Sequence, residues 1–104
     1  MEDNRFTNQV AIITGAGQGI GFEIARQLSL AGASVLLNDI DEQLANRAAA
    51  VINMLGGKCH ALPGDAADVG FIQKMVDEAV KKFGFVTIAI ANAGITTYGE
   101  FLDY

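Results

Sequence analysis

The feature that most constrains this chain is Thr14-Gly15-Ala16-Gly17-Gln18-Gly19-Ile20-Gly21. The branched apolar run Val10-Ala11-Ile12-Ile13 leads into it, and Ile20, Ile24, Ala25 and Leu28, at helical spacing, lead out. A strand, a glycine turn and a helix in that order aim the backbone N–H groups of the helix start at an anion, typically a phosphate.

The pattern continues as it begins. Residues 34–38, 58–62 and 85–91 read as three more strands, the third strand of the four being the least apolar and so nearest a sheet edge. The first helix spans about residues 17–31, with Gly32 as its stop. A second follows Asp41 as N-cap, with Leu44, Ala48, Val51, Ile52 and Leu55 on one face, and Gly56-Gly57 ends it. A third follows Asp68, with a stripe of Ile72, Met75, Val76, Ala79, Val80 and Phe83. Strict alternation of strand and helix predicts an α/β fold: a doubly wound parallel sheet in order 3-2-1-4 with right-handed crossovers. The loops after strands 1 and 4 then lie side by side, so Gly15–Gly21 and Asn92–Gly94 are expected to meet.

Composition closes off several classes. The chain has 104 residues, read as one domain over 1–104, and its 51% hydrophobic and 18% charged content excludes a disordered segment. A net charge of −5 argues against nucleic acid or an anionic membrane as partner. No run approaches the ~20 apolar residues of a membrane span. The polar start, Met1-Glu2-Asp3-Asn4-Arg5, has no apolar signal core, so a cytoplasmic location is expected. Cys59 and His60 are the only residues of their types. Neighbours on a strand, they point to opposite faces and are read as structural, since a metal site needs three or four ligands.

The glycines depart from the common G-x-G-x-x-G fingerprint, because its third glycine would fall on Ile20 or on Phe22. Gly15, Gly19 and Gly21 form G-x-x-x-G-x-G instead. Gly15 permits a sharp exit from the strand, Gly19 a close approach to a pyrophosphate, and Gly21 close packing of helix on sheet. Asp39 lies eighteen residues after Gly21, at the end of the second strand. A carboxylate there can accept both hydroxyls of an adenosine ribose and repels a 2′-phosphate. The next cation, Arg47, is two helical turns on, which favours NAD over NADP. Asp65, after the third strand, either accepts from an adenine amino group or serves only the turn Pro63-Gly64-Asp65. The bland alternatives are a glycine turn without ligand and an Asp39 that caps the next helix, a role Asp41 suits better.

Taken together, Thr14–Gly21, Asn38-Asp39, Gly64-Asp65 and Ala91-Asn92-Ala93-Gly94 resemble the short-chain dehydrogenase/reductase family of the NAD-preferring type, from about residue 9 to 104. The resemblance implies a Rossmann-like fold, here a truncated half-fold of four strands and three helices. It implies that Gln18, Gly19 and Ile20 flank the cofactor's ribose and pyrophosphate. Asp39 and Ile40 would hold the adenosine, Asp65 and Ala66 the adenine. Asn92, Ala93 and Gly94 would lie along the cofactor, with Asn92 also holding strand 4. Ala91 departs from the pattern, where the family often has a second Asn.

The family's Tyr-x-x-x-Lys pair, its Ser and its helix Asn have no counterpart here: Leu102 stands four residues after Tyr98, and Tyr104 is the last residue. No catalytic residue is named. The expectation is an NAD-dependent oxidoreductase of an alcohol/ketone pair by family, of which this chain carries the dinucleotide-binding half and is inactive alone. The open apolar edge of strand 4 is expected to pair with another chain, giving a homo-oligomer. Two other readings stand beside this one. One is a non-catalytic nucleotide-binding or assembly module. The other is a nucleotide-fold methyltransferase, which also pairs a glycine turn with an acidic residue after strand 2, and against which Asn92-Ala93-Gly94 speaks.

Overall fold

In the computed structural model, which describes residues 5–92, the order is β1 (Val10–Thr14), α1 (Gly19–Leu30), β2 (Ser34–Leu37), α2 (Glu42–Met54), β3 (Lys58–Ala61), α3 (Val69–Phe83) and β4 (Ile88–Ala91). All neighbouring strands are parallel and the sheet order is β3-β2-β1-β4, as the alternation predicts. β1 is central: Ile12 pairs with Leu36 on one side and Ala89 on the other. It is buried along its whole length, which is why its sequence is an unbroken apolar run instead of an alternation.

The strand period of two sorts these side chains between two layers. Ala11, Ile13, Val35 and Leu37 pack with Ala25 of α1 and with Ala45, Ala48, Ala49 and Ile52 of α2. Val10, Ile12 and Leu36 pack on the other side with Met75 and Ala79 of α3. Cys59 lies in the first layer, where burial pushes its thiol up to about 12. His60, on the opposite face, has its Nε2 3.4 Å from a carboxylate oxygen of Glu78 on α3.

The punctuation works as read. Gly32, at φ +110, follows Ala31, the C-cap of α1; its N–H reaches the Ser29 carbonyl and the Ala33 N–H reaches that of Leu28. Asp41 caps α2 by accepting from the Leu44 N–H, and Asp68 caps α3 by accepting from the Gly70 N–H.

Four details differ from the sequence reading. On α2 the buried face is Ala45, Ala48, Ala49 and Ile52, while Val51 and Leu55 of the expected face are exposed. The buried stripe of α1 is Gly21, Ala25 and Ser29, with Ile24 and Leu28 at its flank, while Ile20 is exposed. On α3 only Met75 and Ala79 of the expected stripe are buried; Ile72, Val76 and Val80 remain exposed, and among the described residues α3 is the one helix on that face of the sheet. β4 starts at Ile88 and not at residue 85. Just ahead of it, Thr87 binds Val10 at both ends: its Oγ1 accepts from the Val10 N–H at 2.8 Å, and its own N–H donates to the Val10 carbonyl at 2.9 Å.

Among the described residues no helix is long and apolar enough to cross a membrane, and no three His, Cys, Asp or Glu side chains cluster as a metal site would require.

Candidate functional site

The carboxyl ends of the four strands gather the loops that the sequence reading singled out. β1 ends at Thr14 and Gly15 turns the chain at φ +61, a conformation costly for residues with a Cβ. The turn is then tied to β2 at two consecutive residues. The Ala16 N–H donates to the Asn38 carbonyl at 2.7 Å, and the Gly17 N–H donates to Asp39 Oδ2 at 2.9 Å. The other oxygen, Oδ1, accepts from the Asp41 N–H at 3.0 Å. An ionised carboxylate has about four lone-pair positions, so about two remain for a ligand.

The glycines divide by physical role. Gly19 has φ +67 and open space where a Cβ would stand, so backbone conformation demands it and the room beside the helix start is left clear. At Gly21 the reason is contact: a Cβ would come within 2.6 Å of Asn92 Nδ2 and of the Gly15 carbonyl. The helix therefore packs closely on the turn and on the end of β4. Asn92 Nδ2 donates to that same Gly15 carbonyl at 3.0 Å, so the loops after strands 1 and 4 do meet.

The start of α1 differs from those of the other two helices. Gln18 holds the N-cap position with extended backbone and its side chain makes no capping bond, whereas Asp41 and Asp68 cap α2 and α3. Helix starts carry N–H groups without intrahelical partners and a partial positive charge, which favours an anion. Glu23 lies one turn further in. Its side-chain hydrogen bonds from Arg26 and Gln27 hold its carboxyl down at about 2, so its charge is paired along the helix. Ile20 at the start of α1 and Ile40 after β2 are large apolar side chains, 67% and 71% exposed.

Asp65 is used in its own turn. Its Oδ1 accepts from the Ala67 N–H at 2.9 Å, and its carbonyl accepts from the Asp68 N–H. Ala66 is half-buried and packs with the α3-side cluster. Ala93 and Gly94 lie outside the described residues. An open cleft of about 440 Å³ runs along α1 beside Arg5 and Phe6, and none of these loop residues lines it.

Two residues matter more than the sequence reading allowed. Asn38 is 1% exposed. Its Nδ2 donates to the carbonyls of both Leu62 and Gly64 at 3.0 Å, while its carbonyl holds Ala16. One residue thus joins the ends of β1, β2 and β3, through its backbone carbonyl to the turn after β1 and its side chain to the loop after β3, and the signal available was a polar residue closing a buried strand. Gly17 stands outside the Gly15/Gly19/Gly21 spacing, yet a Cβ there would meet Asp39 Oδ2 and Leu44 Cβ at 2.8 Å.

A parallel sheet with a glycine turn after its central strand, an uncapped helix start and an acidic residue ending the next strand defines a dinucleotide-fold protein. Residues 9–104 match the family described as short chain dehydrogenase, and the chain belongs to that family. It is 37% identical over 100 residues to the short chain dehydrogenase claC of Passalora fulva, covering 95% of this chain and 38% of that protein. It is 42% identical over 90 residues to 7alpha-hydroxysteroid dehydrogenase of Escherichia coli, covering 86% and 35%. The crystal structure of hydroxysteroid dehydrogenase from Escherichia coli superposes with a TM-score of 0.84 at 41% identity, over 89% of this chain and 40% of that one. The chain spans about two fifths of the length of the relatives it matches. The family's cofactor is a nicotinamide dinucleotide, and the space left at Gly19 together with the uncapped start of α1 fits its pyrophosphate.

Proposed function

We propose that this chain is the NAD-binding part of a short-chain oxidoreductase that interconverts an alcohol and a ketone. The observation that carries the choice of NAD is Asp39. Its carboxylate sits at the end of β2 beneath the glycine turn, with about two lone-pair positions left for ribose hydroxyls. A 2′-phosphate in the same place would face that negative charge, and the nearest following cation, Arg47, projects from the exposed part of α2.

In this reading residues 1–104 are one partial dinucleotide-binding domain. Gly15, Gln18, Gly19, Ile20 and Gly21 cradle the pyrophosphate and its ribose. Asp39 and Ile40 take the adenosine, Asp65 and Ala66 border the adenine, and Asn92, Ala93 and Gly94 run along the cofactor. Bound there, NAD would supply the hydride acceptor. Asn92 fixes the end of β4 to the turn, and Ile20 and Ile40 exclude water from the flanks of the bound nucleotide.

The proton-transfer chemistry that accompanies hydride transfer needs an acid–base group beside the reacting carbon, and no residue of this chain is assigned that role. The 104-residue chain by itself is therefore expected to form no NADH from any alcohol. A cytoplasmic location belongs to this reading. Among the described residues β4 has a strand neighbour on one side only, and its exposed Ala89 and Ala91 support a homo-oligomer through that strand.

Calorimetric titration with NAD and NADP tests the assignment. NAD is expected to bind more tightly, and equal affinity or a preference for NADP would overturn it. The second reading, a non-catalytic assembly module, expects no heat with either nucleotide.

A further inference from the structure

We propose that Gly17 and Asp39 act as one specificity unit: Asp39 is a strap that positions the glycine turn, and the missing Cβ at Gly17 sets where its carboxylate stands. The inference rests on the NAD reading above and adds a residue that the fingerprint spacing leaves without a task.

The geometry is specific. Asp39 Oδ2 accepts from the Gly17 N–H at 2.9 Å and Oδ1 accepts from the Asp41 N–H at 3.0 Å. Two backbone donors on opposite sides, one from the turn and one from the start of α2, fix the plane of the carboxylate before any ligand arrives. The lone pairs left over then have fixed directions, and a reader held in place gives up less freedom when it binds. Gly17 makes this possible through space. Unlike Gly15 and Gly19 it has no left-handed φ, so an L-residue could adopt its backbone. What forbids one is contact: a Cβ would stand 2.8 Å from Asp39 Oδ2, 3.0 Å from its Cγ and 2.8 Å from Leu44 Cβ. The Leu44 atom is anchored directly to α2, so the turn at position 17 must draw back from it, and the carboxylate, the freer of the two groups, must yield as well. A methyl group at position 17 therefore displaces the ribose reader without altering its charge.

The consequence is that position 17 governs dinucleotide choice through Asp39, and that Asp39 cannot be exchanged for a 2′-phosphate acceptor without loosening the turn. The experiment uses the full chain and the variants Gly17→Ala, Asp39→Ala and Asp39→Asn, with folding checked by far-UV circular dichroism. Amide hydrogen exchange is measured without ligand, and NAD and NADP are titrated separately. In Asp39→Ala the Gly17 amide should exchange on the order of tenfold faster, the scale of one lost charge-assisted bond. The Ala16 amide, held by the Asn38 carbonyl, should change little. Asp39→Asn keeps the shape but has one carbonyl for two donors, so either Gly17 or Asp41 should lose protection.

Gly17→Ala should weaken NAD by roughly tenfold while leaving NADP much less affected, so their ratio falls although Asp39 is intact. The double variant Gly17→Ala/Asp39→Ala should bind NAD no more weakly than the worse single variant, since both remove the same bond. An unchanged Gly17 exchange rate in Asp39→Ala, or an unchanged NAD-to-NADP ratio in Gly17→Ala, overturns the proposal. If the unsubstituted chain binds no NAD but Gly17 exchange still responds to Asp39, the function reading fails and the strap stands.

Discussion

The two faces of the sheet are built to different degrees of completion. On the α1/α2 face, Ile13, Val35 and Leu37 of the sheet and Ile52 of α2 are fully buried, and the alanines of the two helices let them sit close to the sheet. On the α3 face, Val10, Ile12 and Leu36 meet, among the described residues, a single helix that buries only Met75 and Ala79. Ile72, Val76 and Val80 of that helix stay exposed, as do Ala89 and Ala91 of β4. The difference teaches that the face carrying the glycine turn and Asp39 is closed by the chain's own helices. The other face presents apolar surface of the kind that takes up further packing.

The largest effect should come from breaking the closed face. Leu37→Ala empties a fully buried site between the sheet and two helices and should cost about 3–4 kcal/mol, read from urea unfolding. Met75→Ala removes a flexible chain under the single helix and should cost about 2 kcal/mol. Equal costs would mean that the faces contribute alike. Between these two in size is Asn38→Ala, which leaves the Leu62 and Gly64 carbonyls without their donor and should cost about 2–3 kcal/mol. Because Asn38 also sets the spacing of Asp39 and Gly64, NAD affinity should fall with it.

A smaller effect depends on pH. Burial lifts the Cys59 thiol from 9.0 to about 12. Between those values the unfolded chain has released its proton and the folded chain keeps it, so stability falls as pH rises. The limit is about 1.4 kcal/mol per pH unit. Thermal unfolding at pH 8 and pH 10.5 should show the drop, and Cys59→Ala should flatten it. An equal drop in the variant would place its cause elsewhere.

The closed face was also the more legible one. Elements and sheet order followed from alternation, and the meeting of Gly15 with Asn92 followed from topology before any coordinates. Both helix-capping aspartates were readable because a cap is a local event between residues two or three apart. What stayed hidden was long-range and steric. Nothing in the spacing reveals that Gly17 faces a carboxylate from β2, or that Asn38 reaches two carbonyls of the β3 loop. The apolar stripe of α3 was legible as a stripe, but its period is the same whether the face is covered or bare. Only the count of helices over that side of the sheet decides which.

That last ambiguity gives the smallest prediction and the sharpest reading of the comparison. Val76 is 37% exposed on α3, and a polar replacement at such a position usually shifts stability by no more than about 0.5 kcal/mol. Val76→Ser should therefore be nearly silent in a dilute sample. If a second copy of the chain covers the stripe, the variant instead destabilises by more as concentration rises, because association adds stability by mass action. Unfolding at two protein concentrations a hundredfold apart separates the cases. A cost that stays near zero at both leaves α3 as a free surface and places self-association, if found by light scattering, at the β4 edge. A cost that grows with concentration assigns the contact to α3, and the difference between the two faces of the sheet then belongs to the single chain and vanishes in the assembly.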